Sequence, residues 1–167
     1  MLIYYSNLMA KPVNKLQFWK DRIDTAVKPH YSVYVVHEHG WKLIYQHHVS
    51  IIDKVIDKTE KVLDAGCGYG RMAVCFTKEK YTGVDFSPDF IELAKQNNSD
   101  YKFLVADMKD LPFKDNEFDW SFCISIKKMI CDNLGEEEWN NMLKELKRVS
   151  KKVLILEYED PTTYEIL

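Results

Sequence analysis

The chain has 167 residues, of which 46% are hydrophobic and 29% charged, and its formal net charge is −3. This composition is typical of one globular domain and argues against a disordered chain or a general attraction to nucleic acid or anionic membranes. No apolar run approaches the length of a membrane span, and the start lacks the features of a signal peptide. The four cysteines form neither a C-x-x-C pair nor a zinc spacing. We therefore expect a soluble, cytoplasmic protein without a metal site or a membrane partner.

The first third of the chain is predicted to be helical. Apolar residues recur at helical spacing over residues 16–27, where Lys28-Pro29 ends the helix, and again from about Trp41 to Ile56. We expect residues 1–60 to form a helical N-terminal cap, or lid, beside the rest of the molecule.

From Lys61 onward, predicted strands and helices alternate. In chain order they are strand 62–64, helix 72–78, strand 82–85, a helix that begins after Ser87, strand 102–106, strand 118–124, helix 136–149 and strand 153–157. Alternation of this kind implies right-handed crossovers and a mostly parallel sheet. We predict a Rossmann-like, doubly wound α/β fold of about five strands with N-terminal helices, in which residues 61–167 form one compact core. Ligands of such sheets bind beyond the carboxyl ends of the strands.

The most informative segment follows the first predicted strand. It reads Asp64-Ala65-Gly66-Cys67-Gly68-Tyr69-Gly70, an acid followed by alternating glycines. The third glycine comes one residue too early for the G-x-G-x-x-G fingerprint of dinucleotide-binding folds, and no Lys-Ser or Lys-Thr pair of a triphosphate-binding loop follows. Taken alone, the segment also fits a turn into a helix that binds no ligand.

This D-x-G-x-G-x-G segment resembles the cofactor motif of class I S-adenosylmethionine-dependent methyltransferases of the small-molecule type. Further segments extend the resemblance, in the family's order, from about Lys61 to Glu157. These segments are Gly83-Val84-Asp85-Phe86-Ser87, Val105-Ala106-Asp107-Met108 with Leu111-Pro112-Phe113, and Asn116-Glu117-Phe118-Asp119. The resemblance implies S-adenosyl-L-methionine as the cofactor and direct in-line methyl transfer to a small-molecule acceptor. The alternative is a non-catalytic sensor, or an accessory subunit, that binds S-adenosylmethionine in the same pocket.

The resemblance also implies which residues bind the nucleoside part of the cofactor. Asp85 would accept hydrogen bonds from both ribose hydroxyls, and Asp107 would accept one from the adenine amine. Met108 would supply its backbone amide and an adaptable apolar contact. Phe86 would contact the adenine or belong to the core. A turn or capping role for Asp85 and a plain loop role for Asp107 are the alternatives.

For the amino-acid part of the cofactor, the resemblance points to the glycine segment itself. Gly66 and Gly68 would lie against the methionine portion, with Cys67 between them. Asp64 would organise the turn or contact the ligand's amino group.

The sequence names no certain catalytic residue, because a sulfonium donor is intrinsically reactive and a base is needed only when the acceptor arrives protonated. The weak candidates are Tyr34, His37 and His39, in a segment rich in aromatic and histidine residues that could cover the site. The alternative is that these histidines are ordinary solvent-exposed residues with no catalytic role. After the fourth strand the chain lacks the Asn/Asp-Pro-Pro-aromatic run of DNA amino-methyltransferases, which favours a small metabolite and no nucleic acid.

The end of the chain predicts an unusual sheet edge. Members of the family usually continue with a helix and an antiparallel hairpin, and we expect this final hairpin to be missing because the chain stops ten residues after Glu157. The apolar strand 153–157 would then be an exposed edge, which tends to pair with another chain. We expect a homodimer through this edge. Coverage by the N-terminal third, or a truncated relative, are the alternatives.

Overall fold

The structure is a computed structural model that describes residues 38–157 and 164–167. The predicted helix over residues 16–27 lies outside the described residues. The described elements are α1 (Glu38–Val55), β1 (Val62–Ala65), a 3₁₀ helix (Ala73–Cys75), β2 (Tyr81–Asp85), α2 (Pro88–Asn97), β3 (Lys102–Val105), β4 (Phe118–Ile124), α3 (Lys127–Leu134), α4 (Glu136–Val149), β5 (Ser150–Leu156) and β6 (Tyr164–Ile166).

The strands form one sheet in the order β3-β2-β1-β4-β5-β6. Neighbouring strands from β3 to β5 run parallel, and β6 alone runs antiparallel to its neighbour β5. The prediction of a mostly parallel, doubly wound sheet is confirmed, but the described part of the chain has six strands rather than about five. The strand order reverses between β1 and β4, which is where such folds bind their ligands.

Side chains alternate along each strand, so the sheet has two covered faces. On one face, residues such as Val62, Phe122 and Leu154 pack with α1, the 3₁₀ helix and α2. We call this the α1 face. On the other, residues such as Leu63 and Val153 pack with α3 and α4. We call this the α4 face.

The crossover from β1 to β2 differs from the prediction. A helix over residues 72–78 was predicted, but the structure has only the short 3₁₀ helix Ala73–Cys75. Two physical reasons account for the error. Val74, Cys75 and Phe76 are weak helix formers. In addition, the buried Phe76 ring lies 5.8 Å from that of Tyr81 and 5.7 Å from that of Phe122, which draws the chain down onto the sheet after a single turn.

The expected bare edge at strand 153–157 is also corrected. Strand β6 pairs with Leu154, Ile155 and Leu156, and Val153 exchanges two backbone hydrogen bonds of 3.0 Å with Leu167. Residues 164–167 therefore cover this edge with one antiparallel strand, where a whole hairpin was predicted to be missing. A dimer that paired directly on β5 would have to displace β6, so any edge-to-edge pairing on this side would use the outer edge of β6.

None of the helices in the described ranges is long and apolar enough to cross a membrane.

Candidate active site

The candidate site lies at the carboxyl end of β1, next to the point where strand order reverses. There the chain turns back towards β2, because the amides of Gly66 and Cys67 both donate to the Val84 carbonyl, at 2.8 and 2.9 Å. Gly66 has a φ of +76°, and a Cβ at this position would lie 2.8 Å from Cδ1 of Ile126. Only glycine tolerates both the backbone angle and the close approach.

This turn encloses a small cavity of about 30 Å³. It is lined by four predicted cofactor-binding residues and by four residues not predicted: Asp64, Gly66, Cys67 and Gly68, together with Tyr69, Arg71, Met72 and Ile124. The structure therefore brings the predicted amino-acid end of the site together. Because the cavity has room for only about one water molecule, a larger ligand requires the surrounding side chains to move apart.

Asp64 is the most perturbed acid in this cavity. Its side chain is 3% exposed, and Oδ2 accepts a hydrogen bond of 2.7 Å from the Tyr81 hydroxyl. Burial raises the pKa of Asp64 to about 7, although the Tyr81 hydrogen bond and the Arg71 charge favour the ionised form. Over residues 38–157 the structure shows no hydrogen bond to the other oxygen, Oδ1. Asp64 can therefore accept a donor from the cavity.

Asp85 joins the glycine turn to the end of β2. Its Oδ2 accepts a hydrogen bond of 3.0 Å from the Gly68 amide, and its Oδ1 accepts one of 3.0 Å from the Ser87 amide. Burial raises the pKa of Asp85 to about 6, against the effect of the amides of Ser87, Gly68 and Phe86. A carboxylate has about four acceptor positions, so these amides leave room for about one further donor. The predicted contact to both ribose hydroxyls would require one amide to be released.

The alternative capping role falls to Ser87 rather than to Asp85. The Ser87 hydroxyl accepts a hydrogen bond of 3.4 Å from the Phe90 amide and is the N-cap of α2, with Pro88 at the first helical position. Asp85 does take part in the preceding turn, so it has a structural role in addition to the binding role that was predicted.

The loop after β3 lies beside Asp85. The Ala106 amide donates to the Asp85 carbonyl at 3.0 Å, which places Asp107 and Met108 next to the end of β2. Asp107 is exposed and accepts a hydrogen bond of 2.9 Å from the Lys109 amide. Met108 and Phe86 are half-buried. The predicted nucleoside-binding residues are thus neighbours, but none of them lines the cavity at the glycine turn.

A buried histidine lies behind the glycine turn. His48, on α1, is 0% exposed, and its Nδ1 is 3.5 Å from Nη2 of Arg71. Burial and the Arg71 charge lower the pKa of His48 to about 3. The imidazole is therefore neutral at physiological pH and belongs to the core.

A second, larger cleft of about 320 Å³ lies between α1, the glycine turn and the end of α2. It shares Tyr69 and Arg71 with the small cavity, and its remaining lining residues are Tyr45, Gly70, Asn97 and Asn98. Two hydrogen bonds join the end of α2 to the glycine turn: the side-chain amide of Asn97 donates to the Tyr69 carbonyl, and that of Asn98 donates to the Gly70 carbonyl.

The candidate catalytic residues remain predictions. Tyr34 and His37 lie outside the described residues, and His39 belongs to α1 but its side chain is also outside them. Over the part of the chain that is described, the structure shows no group of three or more histidine, cysteine or acidic side chains that could hold a metal ion.

The sequence did not single out Tyr81 or Arg71, although both contact the site. Tyr81 could have been found from the register of the sheet. Val62 pairs with Tyr81 in parallel strands. Asp64 lies two residues after Val62 on β1, so Asp64 and Tyr81 are on the same face of the sheet. Arg71 directly follows the glycine segment, and nothing in the local pattern places its side chain beside His48.

Comparison with known proteins identifies the family. The family model described as "Methyltransferase domain" matches residues 62–152, more than half of the chain. The chain belongs to the class I S-adenosylmethionine-dependent methyltransferases. Demethylmenaquinone methyltransferase of Staphylococcus aureus is 31% identical over 121 residues, which are 66% of this chain and 48% of that protein. The chain therefore spans about half the length of the curated relatives that it matches.

Solved structures share the fold of this chain. The crystal structure of a protein from Pyrococcus horikoshii has a TM-score of 0.64 at 25% identity, and the alignment covers 79% of this chain and 66% of that one. A methyltransferase of the same cofactor class from Methanosarcina mazei has a TM-score of 0.55 at 24% identity and covers 63% of this chain and 55% of its own. The second likeness shows the fold alone.

The residues of the site fit S-adenosylmethionine. The amino-acid end of that molecule needs an acceptor for its ammonium group and close access to the backbone. Asp64 Oδ1 and the glycine turn at Gly66 provide these two features. Its ribose needs a carboxylate at the end of β2, where Asp85 lies.

Proposed function

We propose that this chain transfers the methyl group of S-adenosylmethionine to a small-molecule acceptor. The observation that carries the proposal is the hydrogen bond from the Gly68 amide to Asp85 Oδ2. It joins the glycine turn of β1 to the acid at the end of β2, so that both ends of the cofactor would meet a continuous binding surface.

Each residue of this surface has one task. Asp64 would accept a hydrogen bond from the ammonium group, Asp85 from a ribose hydroxyl and Asp107 from the adenine amine. The bound cofactor supplies a methyl group on a positively charged sulfur. The apolar side chains of Met72, Ile124 and Ile126 around the turn exclude water, so that positioning provides the main contribution to rate.

Three observations support a small acceptor. The net charge of −3 gives no general attraction to nucleic acid. The name of the similar Staphylococcus aureus enzyme gives demethylmenaquinone, a small molecule, as its acceptor. The cleft of about 320 Å³ shares Tyr69 and Arg71 with the cofactor cavity and is of a size that small ligands occupy.

Calorimetry with S-adenosylmethionine and S-adenosylhomocysteine tests the cofactor part of the proposal. We expect both ligands to bind the wild-type protein and the Asp107→Ala variant to bind them about tenfold more weakly, because it loses a hydrogen bond to the adenine amine. Asp110→Ala is the matched control, since Asp110 is an exposed acid of the same loop that the proposal leaves outside the site. Equal affinities for all three proteins would contradict the assignment of Asp107.

Incubation with a methyl-labelled donor tests the transfer itself. A cell extract is separated into small molecules and macromolecules, and each fraction is incubated with the protein and the donor. We expect the label to appear in the small-molecule fraction. Label in the macromolecules would contradict a small acceptor, and cofactor binding without any transfer would favour the sensor or accessory subunit.

A further inference from the structure

We propose that Tyr81 is a positioning residue for the amino-acid end of the cofactor, because its hydroxyl donates to Oδ2 of Asp64, an acid that lines the cavity at the glycine turn. This inference rests on the proposed function, since it assumes that S-adenosylmethionine binds there. It assigns a role to the first residue of β2, whereas the acid proposed to bind the ribose, Asp85, is the last residue of that strand.

The Tyr81 ring is held rigidly. The side chain is 1% exposed, and its ring centroid lies 5.8 Å from Phe76, 5.7 Å from Tyr101 and 5.8 Å from Phe103. Neighbours on three sides leave the hydroxyl little freedom to move. Its hydrogen bond of 2.7 Å to Asp64 Oδ2 therefore has a fixed direction.

A purely structural role does not require the hydroxyl. The rings around Tyr81 form an aromatic cluster in which a phenylalanine would pack equally well, whereas a buried phenol must find a hydrogen-bond partner. Among the described residues, that partner is Asp64. Asp64 is itself buried, lines the cavity and keeps Oδ1 without a hydrogen bond over residues 38–157. The pair thus ends in a carboxyl group at the lining of the cavity where a ligand would bind.

The hydroxyl also acts on the charge of Asp64. Burial and the neighbouring Asp85 favour the protonated acid, while the Tyr81 hydrogen bond and Arg71 favour the carboxylate. The ionisable groups that act electrostatically on Asp64 are Tyr81 and Asp85 on β2, Cys67 and Arg71 on the turn, Cys75 on the 3₁₀ helix, and Cys123 on β4, which packs on the α4 face. Because burial dominates and places the pKa of Asp64 at about 7, loss of one hydrogen bond that favours the carboxylate shifts Asp64 towards its neutral form at neutral pH, which cannot pair with an ammonium group.

The Tyr81→Phe variant tests the proposal with two ligands. S-Adenosylhomocysteine carries the amino-acid end, whereas 5′-methylthioadenosine has the same adenine and ribose but lacks it. At neutral pH we expect the variant to bind S-adenosylhomocysteine on the order of tenfold more weakly, as for loss of a hydrogen bond to a charged group. Its affinity for 5′-methylthioadenosine should remain unchanged. Tyr101→Phe is the matched control, because it removes a hydroxyl from the same cluster that donates to the Phe76 carbonyl.

The pH dependence of binding separates positioning from general support of the fold. In the wild type, affinity for S-adenosylhomocysteine should rise with pH as Asp64 ionises around its pKa of about 7. In Tyr81→Phe the same rise should occur at higher pH. Asp64→Asn should abolish the part of the rise that 5′-methylthioadenosine does not share and should leave 5′-methylthioadenosine binding unchanged, which gives a second test if Tyr81→Phe folds poorly. Any rise common to both ligands reports Asp85, whose pKa is about 6.

The outcomes are distinct. Equal weakening of both ligands, or an unchanged pH profile, would overturn the role of Tyr81 and leave the proposed function intact. Failure of the wild-type protein to bind either ligand would overturn the proposed function and this inference with it.

Discussion

The two faces of the sheet bury hydrophobic clusters of similar size but very different polar groups. On the α1 face, Asp64 and His48 are buried, and their pKa values move to about 7 and about 3. On the α4 face, the Ser121 and Ser150 hydroxyls form a hydrogen bond of 2.8 Å to each other, and Ser150 also donates to the Leu146 carbonyl. One face thus buries ionisable groups, and the other buries neutral hydroxyls that satisfy one another.

This difference separates stability from function within one small sheet. Burial of an ionisable group opposes folding unless a partner compensates, and such groups concentrate at functional sites. The α1 face bears this penalty directly beneath the glycine turn, where a ligand would meet Asp64. We infer that the α4 face mainly stabilises the fold, while the α1 face gives up stability to hold the site.

The largest expected effect tests the α4 face. Leu146 on α4 is 0% exposed, and Leu146→Ala should lower the free energy of unfolding by about 4 kcal/mol through lost burial and a cavity. Urea denaturation measures this loss. The affinity of the folded variant for S-adenosylhomocysteine should match that of the wild type. A large loss of affinity would show that the two faces are coupled.

The next prediction concerns the pH dependence of stability on the α1 face. The folded-state pKa of Asp64 is raised from 3.8 to about 7, so the folded state holds a proton that the unfolded state has lost between these values. The Asp64 contribution to stability therefore falls as pH rises from about 4 to about 7. Asp64→Asn should remove this fall, so the free energy of unfolding of the variant, measured relative to that of the wild type, should rise by on the order of 3 kcal/mol between pH 4 and pH 8.

The difference in free energy of unfolding between the variant and the wild type isolates Asp64. His48 changes stability with pH in the direction opposite to Asp64, but it does so equally in both proteins, so its contribution cancels. Its lowered pKa makes the His48 contribution rise with pH between about 3 and 6.5. Denaturation curves at several pH values supply the measurement. A difference that did not change with pH would contradict the buried, mostly protonated Asp64.

Where the sequence pattern is local and periodic, it predicts this fold well. Helix α4 begins and ends where its apolar period predicts, with Trp139, Met142, Leu146 and Val149 buried on one face. The start of α2 follows from Ser87 in the same way. The glycine segment brings four predicted residues into one cavity because consecutive residues of a tight turn must be neighbours.

The errors occur where tertiary contacts override the local pattern. The 3₁₀ helix replaces a predicted helix because Phe76 packs on the sheet. Helix α3 was not predicted, because its amphipathic pattern spans only eight residues before Gly135, which has a φ of +90°, ends the helix. The role of Tyr81 depends on the register between β1 and β2, and that of β6 on pairing with β5, which no single segment of sequence specifies.

A smaller effect is expected from the serine pair on the α4 face. Ser121→Ala removes the hydroxyl that faces Ser150, which keeps the Leu146 carbonyl as a partner. We expect a loss of about 1 kcal/mol in the free energy of unfolding. The loss should be the same at every pH, in contrast to Asp64→Asn, because neither serine titrates. A loss that changed with pH would mean that an ionisable group also affects the stability of the α4 face.

The smallest effect concerns charges at the surface. Lys151 Nζ lies 2.7 Å from Asp119 Oδ1, but the two side chains are 60% and 33% exposed. Lys151→Ala should change the free energy of unfolding by less than about 0.5 kcal/mol, because water and salt already screen both charges. Urea denaturation at low and high salt measures it. If Lys151→Ala changed the free energy of unfolding as much as Asp64→Asn, then charge rather than burial would determine the size of the effect. The expected contrast instead makes burial the cause, since Asp64 is 3% exposed whereas the Asp119 side chain is 33% exposed.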